Sequence, residues 1–215
     1  MFIDKSINTY QLSEIDNEIL LDTLDYRVFN LSTGLSNASS SYYHNSLNGY
    51  HAAKLRRFQE YYDYLTFHDN EKLFNSLNVK YLIGKDDQDQ DQLYVNPDAL
   101  GNAWSVDSLL ILNNPDELLN KLKDTDISKI ALGLKNSIPK DLPQTFESND
   151  LIKIEKVKNS SSDLTYNYNA LSEQLIVFSE IYYPSGWEVF IDGEKSYFFD
   201  INYLLRGMLL PEGKH

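Results

Sequence analysis

Apolar residues recur at the spacing of an α-helix in several stretches of the first 138 residues. In residues 13–24 they alternate with acidic residues, and Ser13 stands before them in the position of an N-cap, with Asp16 three residues later. The same period predicts further helices over 51–65, 70–77 and 116–122, and the last of these has a cap near Asn114. Runs rich in β-branched and aromatic residues predict strands over 26–31, 79–83, 104–112 and 127–132.

The helical period is absent beyond residue 138, where short apolar runs alternate with turn residues. These runs predict strands over 151–157, 164–168, 175–182, 187–191, 196–201 and 205–210. The pair Asp192-Gly193 indicates a type I′ hairpin turn, because such a turn needs positive φ. We therefore predict an α+β fold, with a mixed α/β unit over residues 1–138 and a small antiparallel β-sandwich-like unit over 139–215.

A turn sequence, Pro-Glu-Gly-Lys at 211–214, follows the last apolar run. Such a turn delivers the chain into a further pairing strand, yet the sequence stops at His215. A neighbouring strand would then keep an unpaired edge. We expect that the β-rich C-terminal end stops before its last strand.

Charge and composition exclude several classes of function. The chain has 19 Lys and Arg against 32 Asp and Glu, and its net charge of -13 repels phosphate backbones, which argues against a nucleic-acid partner. The absence of Cys excludes disulfides and Cys-ligated metals. No signal peptide or transmembrane run is present. The 16 Tyr suit half-buried strands, and a sugar-binding surface is the alternative interpretation.

Several segments resemble the YfhO-like bacterial membrane protein family, in particular its Bacteroidetes-type members. They cover much of the chain and are specific as a set. The matching residues are DYRVFNL (25–31), SYYH (41–44), GYHAAKLRRFQ (49–59), LNVKYLI (77–83), NPDALGNAW (96–104), SEIYYP (179–184), GW (186–187), IDG (191–193), NYLLRG (202–207) and PEGKH (211–215).

The resemblance implies a soluble extracytoplasmic piece of a polytopic protein whose membrane portion is similar to type C glycosyltransferases. Such a parent would transfer sugars from polyprenyl-phosphate donors to cell-envelope acceptors, at the extracytoplasmic face of the bacterial inner membrane. Its catalytic carboxylate would lie in the membrane portion, which would be the partner of this chain. We expect no catalytic residue, no cofactor and no turnover here; a carbohydrate-binding or structural envelope module is the alternative.

A basic cluster in this acidic chain is the candidate ligand site. Its arginines could bind an anionic glycan or a lipid-linked sugar phosphate through their guanidinium groups, with the histidines adding donors. Alternatively, these cations pair with nearby acids and have a structural role. The candidate residues are His44, Tyr50, His51, Lys54, Arg56 and Arg57.

Two metal motifs are weak, and we predict no metal site. His44, His51 and His68 lack the tight spacing of helical zinc ligands. Asp87, Asp89 and Asp91 begin like a calcium loop with a closing acid at 98, but Gln stands at 92, where that loop requires Gly. A solvated acidic loop accounts for this segment.

Overall fold

The computed structural model describes residues 11–50, 53–147, 152–160 and 162–215. It has the predicted α+β fold, with sheets packed as in a β-sandwich. The chain forms two compact units, and the first comprises Met1–Ala52 with Val79–Pro97. The second comprises Ala53–Asn78 with Asp98–His215. The predicted boundary at residue 138 falls inside unit 2.

The described residues of unit 1 form one short α-helix and a three-stranded sheet. The sheet order is β1-β2-β3, with β1 parallel to β2 and β3 antiparallel to it. Ile19, Tyr26, Val28 and Ile83 form its buried core. The elements are α1 (Glu14–Ile19), β1 (Arg27–Asn30), β2 (Val79–Lys85) and β3 (Asp91–Val95), with 3-10 turns at Gly34–Ser36 and Ser39–Tyr42.

Helix α1 begins as its sequence predicts. The Asp16 backbone N–H donates to the Ser13 hydroxyl at 3.0 Å, and the Ser13 backbone N–H donates to the Asp16 carboxylate at 2.9 Å. This reciprocal capping box satisfies donors that a helix N-terminus leaves open. The helix ends at Ile19, earlier than predicted, and Leu20 and Leu21 follow in a turn.

Unit 2 contains the three remaining helices of the described residues. Helix α4 carries the start signals that the sequence shows, since Asn114 caps it and Pro115 occupies its first turn. Helix α2 begins at Arg56, five residues later than predicted, because Leu55 has an extended backbone. The helices are α2 (Arg56–Phe67), α3 (Lys72–Ser76) and α4 (Pro115–Asp124).

The strands of unit 2 form two antiparallel sheets, a parallel pair and a ribbon. The sheets have the orders β12-β13-β9-β4 and β14-β8-β7, β5 runs parallel to β6, and β10 pairs with β11. The strands are β4 (Ala103–Val106), β5 (Ser108–Leu112), β6 (Ile130–Leu134), β7 (Lys153–Asn159), β8 (Leu164–Ala170), β9 (Gln174–Ile181), β10 (Val189–Ile191), β11 (Glu194–Ser196), β12 (Phe199–Ile201), β13 (Leu205–Leu210) and β14 (Gly213–Lys214).

Two predicted strands are each divided in the structure. The run 104–112 splits at Asp107, whose backbone bonds Lys129 and Phe146 rather than a strand partner. As a result β4 pairs with β9, whereas β5 pairs with β6. The run 196–201 likewise contributes to β11 and then to β12, in different sheets. Apolar content predicted these strands correctly but not the places where the chain leaves one sheet for another.

The hairpin turn at 192–193 is confirmed. Asp192 and Gly193 have φ of 52° and 86°, and Ile191 pairs with Glu194 across the turn.

In the described ranges, no helix has the length and apolar character that crossing a bilayer requires.

Candidate functional site

The predicted basic cluster is divided between the two units. His44 and Tyr50 belong to unit 1, whereas Lys54, Arg56 and Arg57 belong to unit 2. His51 lies outside the described residues. The contacts of each residue are therefore given within its own unit.

His44 is buried against the first helix of unit 1. Its Nε2 lies 2.8 Å from an Asp16 carboxylate oxygen, and 1% of the His44 side chain is exposed. Burial alone would raise the pKa of Asp16, but hydrogen bonds from Ser13 and His44 outweigh it and lower that pKa. His44 thus supports the α1 capping box. Tyr50, by contrast, is largely exposed.

The three cations of the predicted basic cluster that belong to unit 2 each have a partner near them. Lys54 Nζ donates to Gln59 Oε1 at 2.9 Å, and Arg56 Nε donates to Glu60 at 2.7 Å along helix α2. Arg57 forms an ion pair with Asp200 of β12. These contacts favour the structural role of the basic residues, and ligand binding by them stays a prediction.

The Arg57–Asp200 pair is the most buried part of this region. The Asp200 side chain is 5% exposed, and its Oδ1 has no hydrogen-bond partner among the described residues. Burial raises the pKa of Asp200, although the Arg57 guanidinium opposes that rise. The guanidinium carbon also lies 4.9 Å from the Tyr203 ring centroid, and the Tyr203 hydroxyl donates to Glu60 at 2.7 Å.

The turn that follows Asp200 has an unusual backbone. Asn202 and Tyr203 both have positive φ, at 48° and 71°, which is rare for a residue as bulky as Tyr. The Asn202 side chain accepts from the Leu132 N–H at 2.8 Å, and the Asn202 N–H donates to the Leu132 carbonyl at 2.8 Å. These bonds hold the β12–β13 turn against β6 and keep Asp200 beside Arg57.

The proposed metal ligands are not assembled in the described residues. Those residues contain no group of three His, Asp or Glu side chains arranged to hold a metal ion. His68 instead packs beside the rings of Tyr64 and Phe67, with centroid distances of 4.5 and 5.2 Å.

A groove of about 800 Å³ lies within unit 2, and no motif in the sequence predicts it. It lies among strand β8, the β10–β11 ribbon and strands β9 and β13. Its volume is at the upper end of the range for ligand sites. We call this cavity the sandwich groove; its lining includes the apolar and aromatic residues Tyr166, Tyr168, Phe178, Phe198, Met208 and Leu210.

Aromatic rings and the Arg206 guanidinium pack against one another along the sandwich groove. Tyr166 meets Phe178 edge-on at 5.0 Å. The Arg206 guanidinium carbon lies 4.6 Å from the Trp187 ring centroid and 5.3 Å from that of Phe198. The Arg206 Nε also donates to the Ile181 carbonyl at 3.0 Å, which fixes the guanidinium between the rings. The wall is therefore built from ordered side chains.

The four carboxylates that line the sandwich groove each have a basic partner. Glu180 lies 3.3 Å from Lys156 Nζ, and Asp192 lies 2.7 Å from His215 Nδ1. Two further pairs lie at the rim, Asp163 with Lys158 and Glu188 with Lys195. The hydrogen bond from Lys195 lowers the pKa of Glu188, and the bond to Asp192 raises the pKa of His215. Each acid of the groove is thus paired with a base.

The buried end of the sandwich groove contains a hydroxyl with no partner. Tyr168 is 3% exposed, and its hydroxyl makes no hydrogen bond within the described residues. Burial raises its pKa to about 12, so the hydroxyl keeps its proton at neutral pH. The His215 ring stacks over this tyrosine at 6.3 Å. A buried hydroxyl in this state is a donor for an incoming polar group.

Comparison with known proteins found no matching family model, no similar curated protein and no similar solved structure.

Proposed function

We propose that this chain is a non-catalytic, extracytoplasmic accessory domain of a YfhO-like membrane protein. Its parent would transfer lipid-linked sugars to cell-envelope acceptors, and the chain would help to hold the acceptor or the transferase assembly in place. The observation that carries this proposal is the sandwich groove, a cavity of about 800 Å³ lined by aromatic side chains and by carboxylates that each have a basic partner. The quoted sequence segments supply the link to the family.

The charges of the groove support binding rather than acid–base catalysis. A glycoside-cleaving site needs one carboxyl group kept protonated by a raised pKa, facing a second, ionised carboxylate. In the groove, Glu180 and Asp192 are instead paired with Lys156 and His215. A carboxylate that is held by a basic partner has a fixed direction, which suits the positioning of a ligand.

A carbohydrate-binding module is the second candidate, and one feature favours it. Three exposed rings, Tyr183, Phe190 and Tyr197, lie in or next to the β10–β11 ribbon. Exposed rings of this kind serve as stacking platforms with a low entropy cost, because each has two rotatable side-chain bonds. Such a module would bind sugars without any membrane partner.

Deletion of this chain from the parent gene tests the leading proposal. We expect the glycan product in cells to be lost, while the membrane portion is still inserted at its normal level. The isolated chain should show no turnover of activated glycosides. Unchanged glycan product after deletion, or turnover by the isolated chain, would contradict the proposal.

A glycan array with the isolated chain separates the second candidate from the first. Binding that disappears in Phe190→Ala and persists in a matched variant of an exposed residue outside unit 2, Tyr94→Ala, would support a carbohydrate-binding module. Both residues are exposed, with 53% and 40% of the surface accessible, so neither substitution creates a core cavity. Absence of binding would contradict the second candidate, since sugars would then be bound only by the assembled parent.

A further inference from the structure

The sandwich groove presents balanced charge to a ligand that enters it. Its carboxylates are paired with bases, as in the contacts of Glu180 with Lys156 and of Asp192 with His215. The Arg206 guanidinium, which also lines the groove, packs between two aromatic rings. A charged ligand group would have to break one of these contacts or stay unpaired in a partly buried cavity, and either is unfavourable. The groove therefore favours an uncharged ligand.

Hydrogen-bonding groups of both kinds lie beside one another at the rim of the groove. Glu188 pairs there with Lys195, and their side chains are 64% and 67% exposed, so both have further hydrogen-bonding positions open to a ligand. A carboxylate accepts, an ammonium group donates, and a hydroxyl group does both. An alcohol can thus bridge such a pair without breaking it, whereas a hydrocarbon chain could use neither group. The rim fits an uncharged ligand with several hydroxyl groups.

Aromatic rings supply the apolar surface for such a ligand. Trp187 lines the groove half-buried, and the Arg206 guanidinium carbon lies 4.6 Å from its ring centroid. Phe190 also lines the groove, and it is 53% exposed. The face of an aromatic ring carries partial negative charge, which attracts the C–H groups on the face of a sugar ring. The hydroxyl groups at the edge of that sugar would then reach the polar groups beside the aromatic rings.

A buried hydroxyl gives a second sign of a polar ligand. Tyr168 lines the groove and is 3% exposed, and its hydroxyl has no hydrogen-bond partner within the described residues. A buried hydroxyl without a partner destabilises the empty protein, since it has lost its bond to water. A ligand hydroxyl in the groove would restore that bond.

We infer that the sandwich groove binds an uncharged saccharide, with sugar faces on Phe190 and Trp187 and one sugar hydroxyl on Tyr168. This inference rests on the proposed function and deepens it, because it names the class of acceptor that the chain would hold. It differs from the anionic glycan that the sequence predicts for the basic cluster. It also separates Phe190 from the exposed rings of Tyr183 and Tyr197, which do not line the groove.

The two tryptophans of the chain provide a readout and an internal control. Trp187 lines the groove, whereas the Trp104 indole N–H is buried and donates to the Ile127 carbonyl. The isolated chain is titrated, with detection by NMR, with neutral hexasaccharides of glucose, galactose, mannose and N-acetylglucosamine, and with sulfated forms of the same four. We expect a neutral hexasaccharide to shift the Trp187 indole signal and to leave that of Trp104 unchanged. Absence of a Trp187 shift with all four neutral probes, or equal affinity for the sulfated form of a probe that binds, would overturn the inference.

Substitutions of three rings locate the ligand. Phe190→Ala should weaken binding about tenfold, because it removes a stacking surface. Tyr197→Ala is the matched control, since Tyr197 is 61% exposed and lies outside the groove, and it should bind normally. Tyr168→Phe removes only the hydroxyl without a partner, so it should not lower Tm, yet it should weaken binding about threefold to tenfold. Equal effects of Phe190→Ala and Tyr197→Ala would overturn the groove as the site, and unchanged affinity in Tyr168→Phe would overturn the role of its hydroxyl.

Failure here is distinguishable from failure of the proposed function. If no saccharide binds in the groove but deletion of the chain from the parent abolishes glycan product, this inference is wrong and the accessory role stands. If a neutral saccharide binds there and deletion leaves the product unchanged, the inference stands and the accessory role is wrong. Binding that is lost in Tyr197→Ala but kept in Phe190→Ala would support a carbohydrate-binding module whose site is not the groove.

Discussion

Replacement of Arg57 by alanine should destabilise unit 2 through the charge that it leaves behind. Asp200 would remain in β12 with its carboxylate 5% exposed and without its guanidinium partner. Removal of one member of a buried ion pair costs about 3–5 kcal/mol. Because the Arg57 side chain is 37% exposed, we expect the low end, a loss of about 3 kcal/mol at pH 7.

The neighbouring residue provides the control. Arg56 also pairs with an acid, Glu60, but its side chain is 90% exposed. Exposed i,i+4 pairs contribute about 0.3–0.5 kcal/mol, so Arg56→Ala should be nearly neutral. For the same reason, Arg56→Ala is the cleaner test of anion binding by the basic cluster, since Arg57→Ala would also lose the pair with Asp200.

The pH dependence identifies the cause. Burial already raises the pKa of Asp200, and loss of Arg57 would raise it further. A carboxyl group with a raised folded-state pKa stabilises the fold when protonated, and that stability is lost as pH rises through the folded pKa. The deficit of Arg57→Ala should therefore be full at pH 7 and shrink as pH falls toward 4.

Urea unfolding followed by tryptophan fluorescence measures this effect, since Trp104 and Trp187 both lie in unit 2. The double variant Arg57→Ala/Asp200→Asn should recover part of the lost stability, because no buried charge remains. If Arg57→Ala costs no more than Arg56→Ala, or if its deficit does not change between pH 7 and pH 4, the buried-charge explanation is wrong.

Three further predictions concern single contacts in unit 2. Trp104→Phe removes the indole N–H that donates to the Ile127 carbonyl at 3.0 Å in a buried position. Urea unfolding should show a loss of about 1–2 kcal/mol in the free energy of unfolding, and a loss below about 0.5 kcal/mol would contradict this prediction. Gly207→Ala would place a methyl group 2.9 Å from Phe199 Cε2. Calorimetry should show a lower Tm and a loss of about 1–3 kcal/mol in the free energy of unfolding, whereas an unchanged Tm would show that the Phe199 ring moves aside without cost. Asp192→Asn replaces the charged acceptor that raises the pKa of His215 by a neutral amide, so NMR titration should return that pKa toward 6.5. In the unsubstituted chain, the Asp192–His215 pair stabilises the fold below about pH 6.5, and this contribution is lost as pH rises through the raised pKa of His215. The variant should not show this loss.

Local signals in the sequence predicted the elements that depend on neighbouring residues. The caps of α1 and α4 and the hairpin turn at 192–193 each need side chains or φ angles within a few positions. Strand β3 was not predicted, because Asp91–Val95 begins with polar residues and is defined by its pairing with β2. Pairing of this kind depends on a partner elsewhere in the chain, which periodicity does not reveal.

The candidate site shows the same limit. The sequence leaves open whether Arg57 binds a ligand or pairs with an acid, because its partner Asp200 is 143 residues away. Basic residues that are close in sequence were grouped together, although they belong to two compact units. The sandwich groove could not be predicted from the sequence, because it is formed by residues of several strands, each of which has the pattern of an ordinary amphipathic strand.

The distribution of charge connects the acidic composition with the proposed role. In unit 1 the described ranges contain nine Asp and Glu against three Lys and Arg, and much of this excess lies in the segment 86–91. Such a surface is repelled by anionic lipid headgroups, which favours a domain that stays in the aqueous phase beside a membrane. The sandwich groove of unit 2, in contrast, pairs each of its acids with a base. A charge-balanced, largely apolar groove can admit an uncharged ligand without burying an unpaired charge.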